Sequence, residues 1–250
     1  MTDLNKYNNL NYGQEESILP EIPEEKASIG FMTLLQSGSK ALKEGEDKYL
    51  PTAKAGLFML REEVFKTFTC QVIDVQNYHK VWYSHINKPE VFINKQEAED
   101  ALEKVIEESI KQNKKDKREP IITGEVKSSL DFLLRIINKD NPCFGEVAIF
   151  SFDLQGWAKK TSAIKWRAEL SHFKEEYKKH YRAASWVVST RLDKSKKSGE
   201  NHSWYSVTME LGDPVGIEFY EEAEDKLKEV QALMAGRDED IKQLAESHGI

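Results

Sequence analysis

Between Gln155 and Glu200 the chain places Trp157, Trp166, Tyr177, Tyr181 and Trp186 among twelve Lys and Arg, against five Asp and Glu. Cations displace the counterions of a phosphate chain, and interleaved rings accept unstacked bases, so this pattern is chemistry for a single-stranded nucleic acid. The stretch carries about +7 in a chain whose net charge is −7, which leaves about −14 for everything else. Isolated surface helices usually mix signs. Here the basic character continues through Arg182 and Arg191 into Lys194, Lys196 and Lys197. The segment DKSKKSGEN reads as a polar hairpin loop, too long for a tight turn, that can close over a strand of nucleic acid.

Other chemistries find less support in the residues. The glycines are scattered, with neither GxxxxGK[ST] nor GxGxxG, which disfavours nucleotide hydrolysis. His172 and His180 are eight apart, roughly on one face if a single helix holds both, but no carboxylate completes an HExxH-like set. Asp74, Glu125 and Asp153 lie at or beside strand-like segments where a metal-dependent nuclease would hold Mg²⁺, without a DxD or ExK array. No GxSxG elbow is present. Cys70 and Cys143 lie far apart outside any CxxC or Cys/His cluster, and read as two buried thiols in a reducing compartment. The expectation is a protein without catalytic residues, metal or cofactor.

The elements that must position the basic island follow from periodicity. Residues 1 to 29, rich in Asn, Glu, Pro and Ser, read as a mobile arm. Phe31, Leu34, Leu35, Ala41 and Leu42 predict a short helix, and Leu57 to Tyr83, mostly β-branched or aromatic, predicts antiparallel strands. Ala98, Ala101, Leu102, Val105, Ile106 and Ile110 form the apolar stripe of a helix over 95–114. Strands are expected at 130–137 and 146–153, separated by the turn sequence NKDNPCFG. A helix over 157–181 follows, in which Trp157, Ile164, Ala168 and Tyr181 share the buried stripe. Lys159, Lys160, Lys165, Arg167, Lys174 and Lys178 then face solvent, with Trp166 beside Lys159, Lys160 and Lys165 as the best stacking platform. A hairpin of SWVVSTRL and HSWYSVTMEL, an acidic helix from Ile217 to Met234 and a frayed tail over 235–250 complete the chain.

The class is therefore α+β, with residues 30–234 as a single domain. The N-terminus carries no apolar stretch behind basic residues, and no apolar run approaches bilayer length, so a cytoplasmic location without a membrane partner is expected.

The passages GFMTLLQSGSKAL, KYLPTAKAGLFM, VIDVQNYHKVWYS, VAIFSFD with LQGWAKKTSAIKWRAEL, and the hairpin SWVVSTRL to HSWYSVTMEL follow one another over residues 30 to 233. In this order they resemble a bacteriophage family some of whose members carry a single-stranded DNA-binding label. The resemblance implies an OB-like antiparallel barrel of five strands, or a strongly curved sheet, with helical insertions and a C-terminal helix. It also implies Lys54, Tyr83, Trp157, Lys159, Lys160, Lys165, Trp166, Arg167 and Trp204 as the strand-binding face. The implied partners are single-stranded DNA, with RNA as a variant, and proteins of replication or recombination in the host cytoplasm. Residues 210–250, at about −8, would cover the basic groove when DNA is absent. Two other readings stay open at this point. One is an interaction module whose acidic helices engage a basic partner, and the other is the metal-dependent nuclease.

Overall fold

The structure is a computed structural model that describes residues 29–85, 89–117, 121–154, 157–197 and 200–230. The expected arm over 1–29, apart from its last residue, and the frayed tail over 235–250 lie outside the described residues. One mixed sheet organises the rest. Its strands are β1 (Gly30–Leu34), β2 (Phe58–Leu60), β3 (Glu63–Phe65), β4 (Phe68–Tyr83), β5 (Glu90–Phe92), β6 (Gly124–Ile136), β7 (Val147–Asp153), β8 (Ala184–Lys197) and β9 (Glu200–Pro214). Their order is β3-β2-β1-β7-β6-β4-β8-β9, with β5 added along β4. Helices α1 (Lys95–Lys115) and α2 (Trp157–Tyr177) are joined by α3, helical from 217 to 230.

The sheet is strongly curved. Three strands separate β2 from β4, so a flat sheet would hold them about 19 Å apart. Yet the rings of Phe58 and Phe68 meet edge to face at 4.9 Å, and Phe65 reaches Phe68 at 5.7 Å. The aromatic residues of the inner face thus draw the sheet around themselves. Of the two outcomes implied by the resemblance, the curved sheet is the one observed. It has nine strands rather than five, and β1 pairs with β7 in parallel.

Both faces of the sheet's centre are covered, which explains why FLLRII is a near-continuous apolar run. Leu130, Phe132, Leu134 and Ile136 face the main core with Trp166, Leu170, Phe173 and Tyr177 of α2. Leu133, with Ile73 and Ile149, faces Ala223, Leu227 and Val230 of α3 on the other side. Strand alternation divides Val72 and Ile73 between the two cores, and a register shift between Val72 and Asp74 moves the inward positions from Cys70 and Val72 to Val75. At the far end α1 buries Ala98 against Val81 and Tyr83. Asn94 starts that helix by accepting from the Gln96 N–H at 2.8 Å.

Two local expectations are corrected. The segment at 30–42 is not a helix: β1 alternates buried Gly30 and Met32 with exposed Phe31 and Thr33, and only Lys40–Leu42 forms a 3-10 turn. Its apolar residues suit either period, and long-range pairing with β2 and β7 decides for the strand. The hairpin after α2 has no long loop, because the β8–β9 ladder continues through Lys196↔Asn201 to Lys197↔Glu200. Lys194, Lys196 and Lys197 are strand residues.

The curvature also brings β9, the last strand, back to the chain that follows β1. The Gln36 side chain donates to the Tyr205 carbonyl at 2.8 Å and accepts from the Tyr205 N–H at 2.9 Å, as a neighbouring strand would. Gly56 stands where a Cβ would lie 2.4 Å from the Tyr205 ring, and its φ of +85° is the left-handed conformation that glycine adopts freely.

Candidate nucleic-acid interface

Helix α2 is the element on which the site depends, and its phase is half a turn from the one expected. The stripe Ala163, Trp166, Leu170, Phe173 and Tyr177 is buried, while Ile164 is 52% exposed. At about 100° per residue, Trp166 lies opposite the Trp157–Ile164–Ala168 line. Its indole, 2% exposed, stacks on Phe132 at 4.4 Å and meets Phe150 and Phe152 edge-on. Trp166 is therefore a core residue and no platform for a base. Trp186 is equally buried, and Tyr177 packs on Phe173 at 4.9 Å.

Tyr83 is corrected too. It is buried under α1, its hydroxyl donates to Glu90 at 2.8 Å, and burial with that carboxylate pushes its phenol well above the usual range. Lys54 is exposed in the loop that leads to Gly56. Arg167 is exposed on α2, and Lys194 on β8. The side chains of Trp157, Lys159, Lys160, Lys196 and Lys197 lie outside the described residues.

Of the candidates, the structure brings together Lys165, Trp204 and an edge of the buried Trp166. They line a groove of about 220 Å³ between α2 and the β8–β9 ribbon, with Glu169, Arg191, Asp193 and Ser206. Three elements converge here because α2 lays its flank along β9 and because the register sets Asp193 opposite Trp204 and Arg191 opposite Ser206. Trp204 is half-buried, so part of its ring borders the open groove. Arg191 Nε donates to Asp193 Oδ1 at 2.8 Å. That bond, then one from the Ser206 hydroxyl, holds the Asp193 carboxyl below the usual carboxylate range, and Lys165 adds to the effect.

Arg191 is expected only as part of the basic island, and Asp193, Glu169 and Ser206 are not among the candidates. The alternation Arg191-x-Asp193 within a strand was the available signal, since it places both side chains on one face of the ribbon.

Other parts of the basic island are already committed. Arg182 Nε donates to the Ile73 carbonyl at 2.7 Å, and its guanidinium pairs with Glu224 of α3. Helix α3 lies on the sheet face opposite α2, its apolar stripe held by Ile73, Leu133 and Ile149, so residues 217–230 do not cover the groove. His172 and His180 do not share a helix face. His172 lies 3.2 Å from Glu176, whereas His180 follows the end of α2 and caps the 3-10 turn Tyr181–Ala183. Cys70 and Cys143 are both buried. Among the described residues no three His, Cys, Asp or Glu side chains gather to hold a metal ion, and no helix is long and apolar enough to cross a membrane.

A curved α+β sheet with a groove of mixed charge along one helix, in which Lys165 and Arg191 stand beside Glu169 and Asp193, defines the class of protein. Comparison of the sequence with known families gives a match to the Pam3 phage gp34-like protein family over residues 8–235, and the chain belongs to that bacteriophage family. Neither the curated proteins nor the solved structures contain a match to it.

Proposed function

We propose that the chain is a non-enzymatic single-stranded DNA-binding protein of phage replication or recombination. The observation that carries this reading is Trp204, a half-buried ring that lines one groove with Lys165 of α2 and Arg191 of β8, beside Glu169 and Asp193. Phosphates pair with the two cations, and a base stacks on the indole. Arg167 and Lys194 are exposed but do not line this groove. Each ring that accepts a base is worth about 1–3 kcal/mol, whereas each phosphate contact appears chiefly as salt dependence.

Fluorescence anisotropy with labelled oligo-dT at two salt concentrations tests the proposal. Affinity is expected to fall steeply with salt, and Trp204→Ala to weaken binding roughly 5- to 150-fold. Lys165→Ala should reduce the slope of log K against log salt by about 0.7. The absence of salt-sensitive binding overturns the reading, and the same titration with oligo-U compares RNA.

A further inference from the structure

We propose that the groove continues into a base pocket: the wall between β1 and β9 receives one nucleobase turned out of the strand whose phosphates lie along Lys165 and Arg191. The inference rests on the reading above and adds to it the position and chemistry of a second subsite.

A second cavity of about 190 Å³ adjoins this groove and shares Ser162, Ser206 and Val207 with it. The fold itself makes this opening. Strand β1 accompanies β7 only as far as Met32↔Phe150, while Thr33 and Leu34 go on pairing with β2. From there β1 and β7 part. On the opposite side the edge of β9 is held by side chains instead of a strand: Gln36 takes both polar groups of Tyr205, and the Val207 N–H donates to Ser162 Oγ at 3.3 Å. A slit bounded by backbone on both sides remains, lined by exposed Phe31, by Phe150 and Phe152, which are buried against Trp166, and by the hydroxyls of Thr33 and Ser151.

Those walls choose the occupant. A base is apolar on its two faces and polar along its edges, and it is tied to a phosphate within one nucleotide. A largely apolar slit with one exposed ring and a few hydroxyls, sharing walls with a groove that holds Lys165 and Arg191, meets all three demands. A simple apolar ligand would have no use for Lys165 and Arg191, and a bare anion none for the rings. Phe31 is 59% exposed, an exposure that a base lying in the slit would relieve. A paired base would first have to leave its helix, so the subsite favours single strands over duplex.

The test compares a labelled dT oligomer with an abasic oligomer of the same length and charge, using the full chain and the variants Thr33→Trp and Phe31→Ala. Thr33 and Phe31 are both exposed, so either change leaves the fold in place, which thermal unfolding verifies. The wild-type chain is expected to bind dT at least tenfold more tightly than the abasic strand. Both variants should weaken dT binding severalfold and leave abasic binding unchanged. Salt-sensitive binding of dT that neither variant alters overturns the pocket while the phosphate groove stands. Binding of neither strand overturns the groove, and the pocket with it.

Discussion

Asp193 governs how strongly the groove can hold an anion, because it occupies Arg191 and lies within the field of Lys165. A phosphate must compete with this carboxylate for the guanidinium. Asp193→Asn is therefore expected to tighten oligo-dT binding about fivefold, the order of one exposed ion pair, as read by anisotropy at low salt. Weaker binding by the variant would contradict this role. His180 makes a separate prediction about stability. Its ring accepts from the Arg182 N–H at 3.2 Å, which requires an unprotonated nitrogen. Burial, followed by the charges of Arg182 and Lys174, lowers its pKa below the ordinary 6.5. The folded state then resists a proton that the unfolded chain accepts, so this contribution is complete above pH 6.5 and is lost as pH falls from there toward the folded pKa. Urea midpoints at pH 7.5 and 5.5 should differ for the wild type and converge for His180→Asn, which keeps an acceptor at the cap.

At the scale of elements, α3 is fastened to the sheet by charge as well as by its apolar stripe. Arg135 is fully buried on β6, 2.7 Å from Glu222 and 4.5 Å below the Phe219 ring. Gln71, its neighbour in register, donates to the Phe219 and Arg182 carbonyls. Glu222→Ala strands a buried guanidinium and should cost about 1–3 kcal/mol in urea denaturation, with Glu222→Gln costing less because it keeps an acceptor. The closure of the curved sheet has its own weak point at Gly56. Gly56→Ala puts a methyl group into the Tyr205 ring at a strained φ, and should destabilise the fold by about 1–3 kcal/mol. A thermal melt unchanged by the substitution would mean that the β9 edge moves freely away from the loop after β1.

At the scale of the molecule, the two faces of the sheet divide the work. The face under α2 carries the groove, and the face under α3 completes the hydrophobic core. A chain ended after Gly216 uncovers Ile73, Leu133 and Ile149, so it is expected to lose cooperative unfolding without gaining affinity for oligo-dT. Tighter binding by a folded truncation would instead restore the acidic segment as a cover for the groove. The charge distribution works at the same scale. The chain carries a net −7 while residues 155–200 carry about +7, so on the proposed reading a polyanion is expected to be drawn to α2 and the hairpin, with the attraction screened over about a Debye length.

The sequence by itself determined the α+β class, both long helices to within a few residues, the β8–β9 strands and the pair of buried thiols. Each of these is written in local period and composition. It did not determine which side of α2 is buried. A helix of Lys, Ala and aromatic residues has a clear period but an ambiguous phase, and contact with Phe132, Phe150 and Phe152 selected Trp166 over Ile164. Nor did it determine the strand at Gly30–Leu34 or the bridge from Gln36 to Tyr205, whose partners lie 169 residues apart. Tertiary structure alone decided the groove, because Lys165, Arg191 and Trp204 become neighbours only after the sheet has curled and α2 has settled along its last strand.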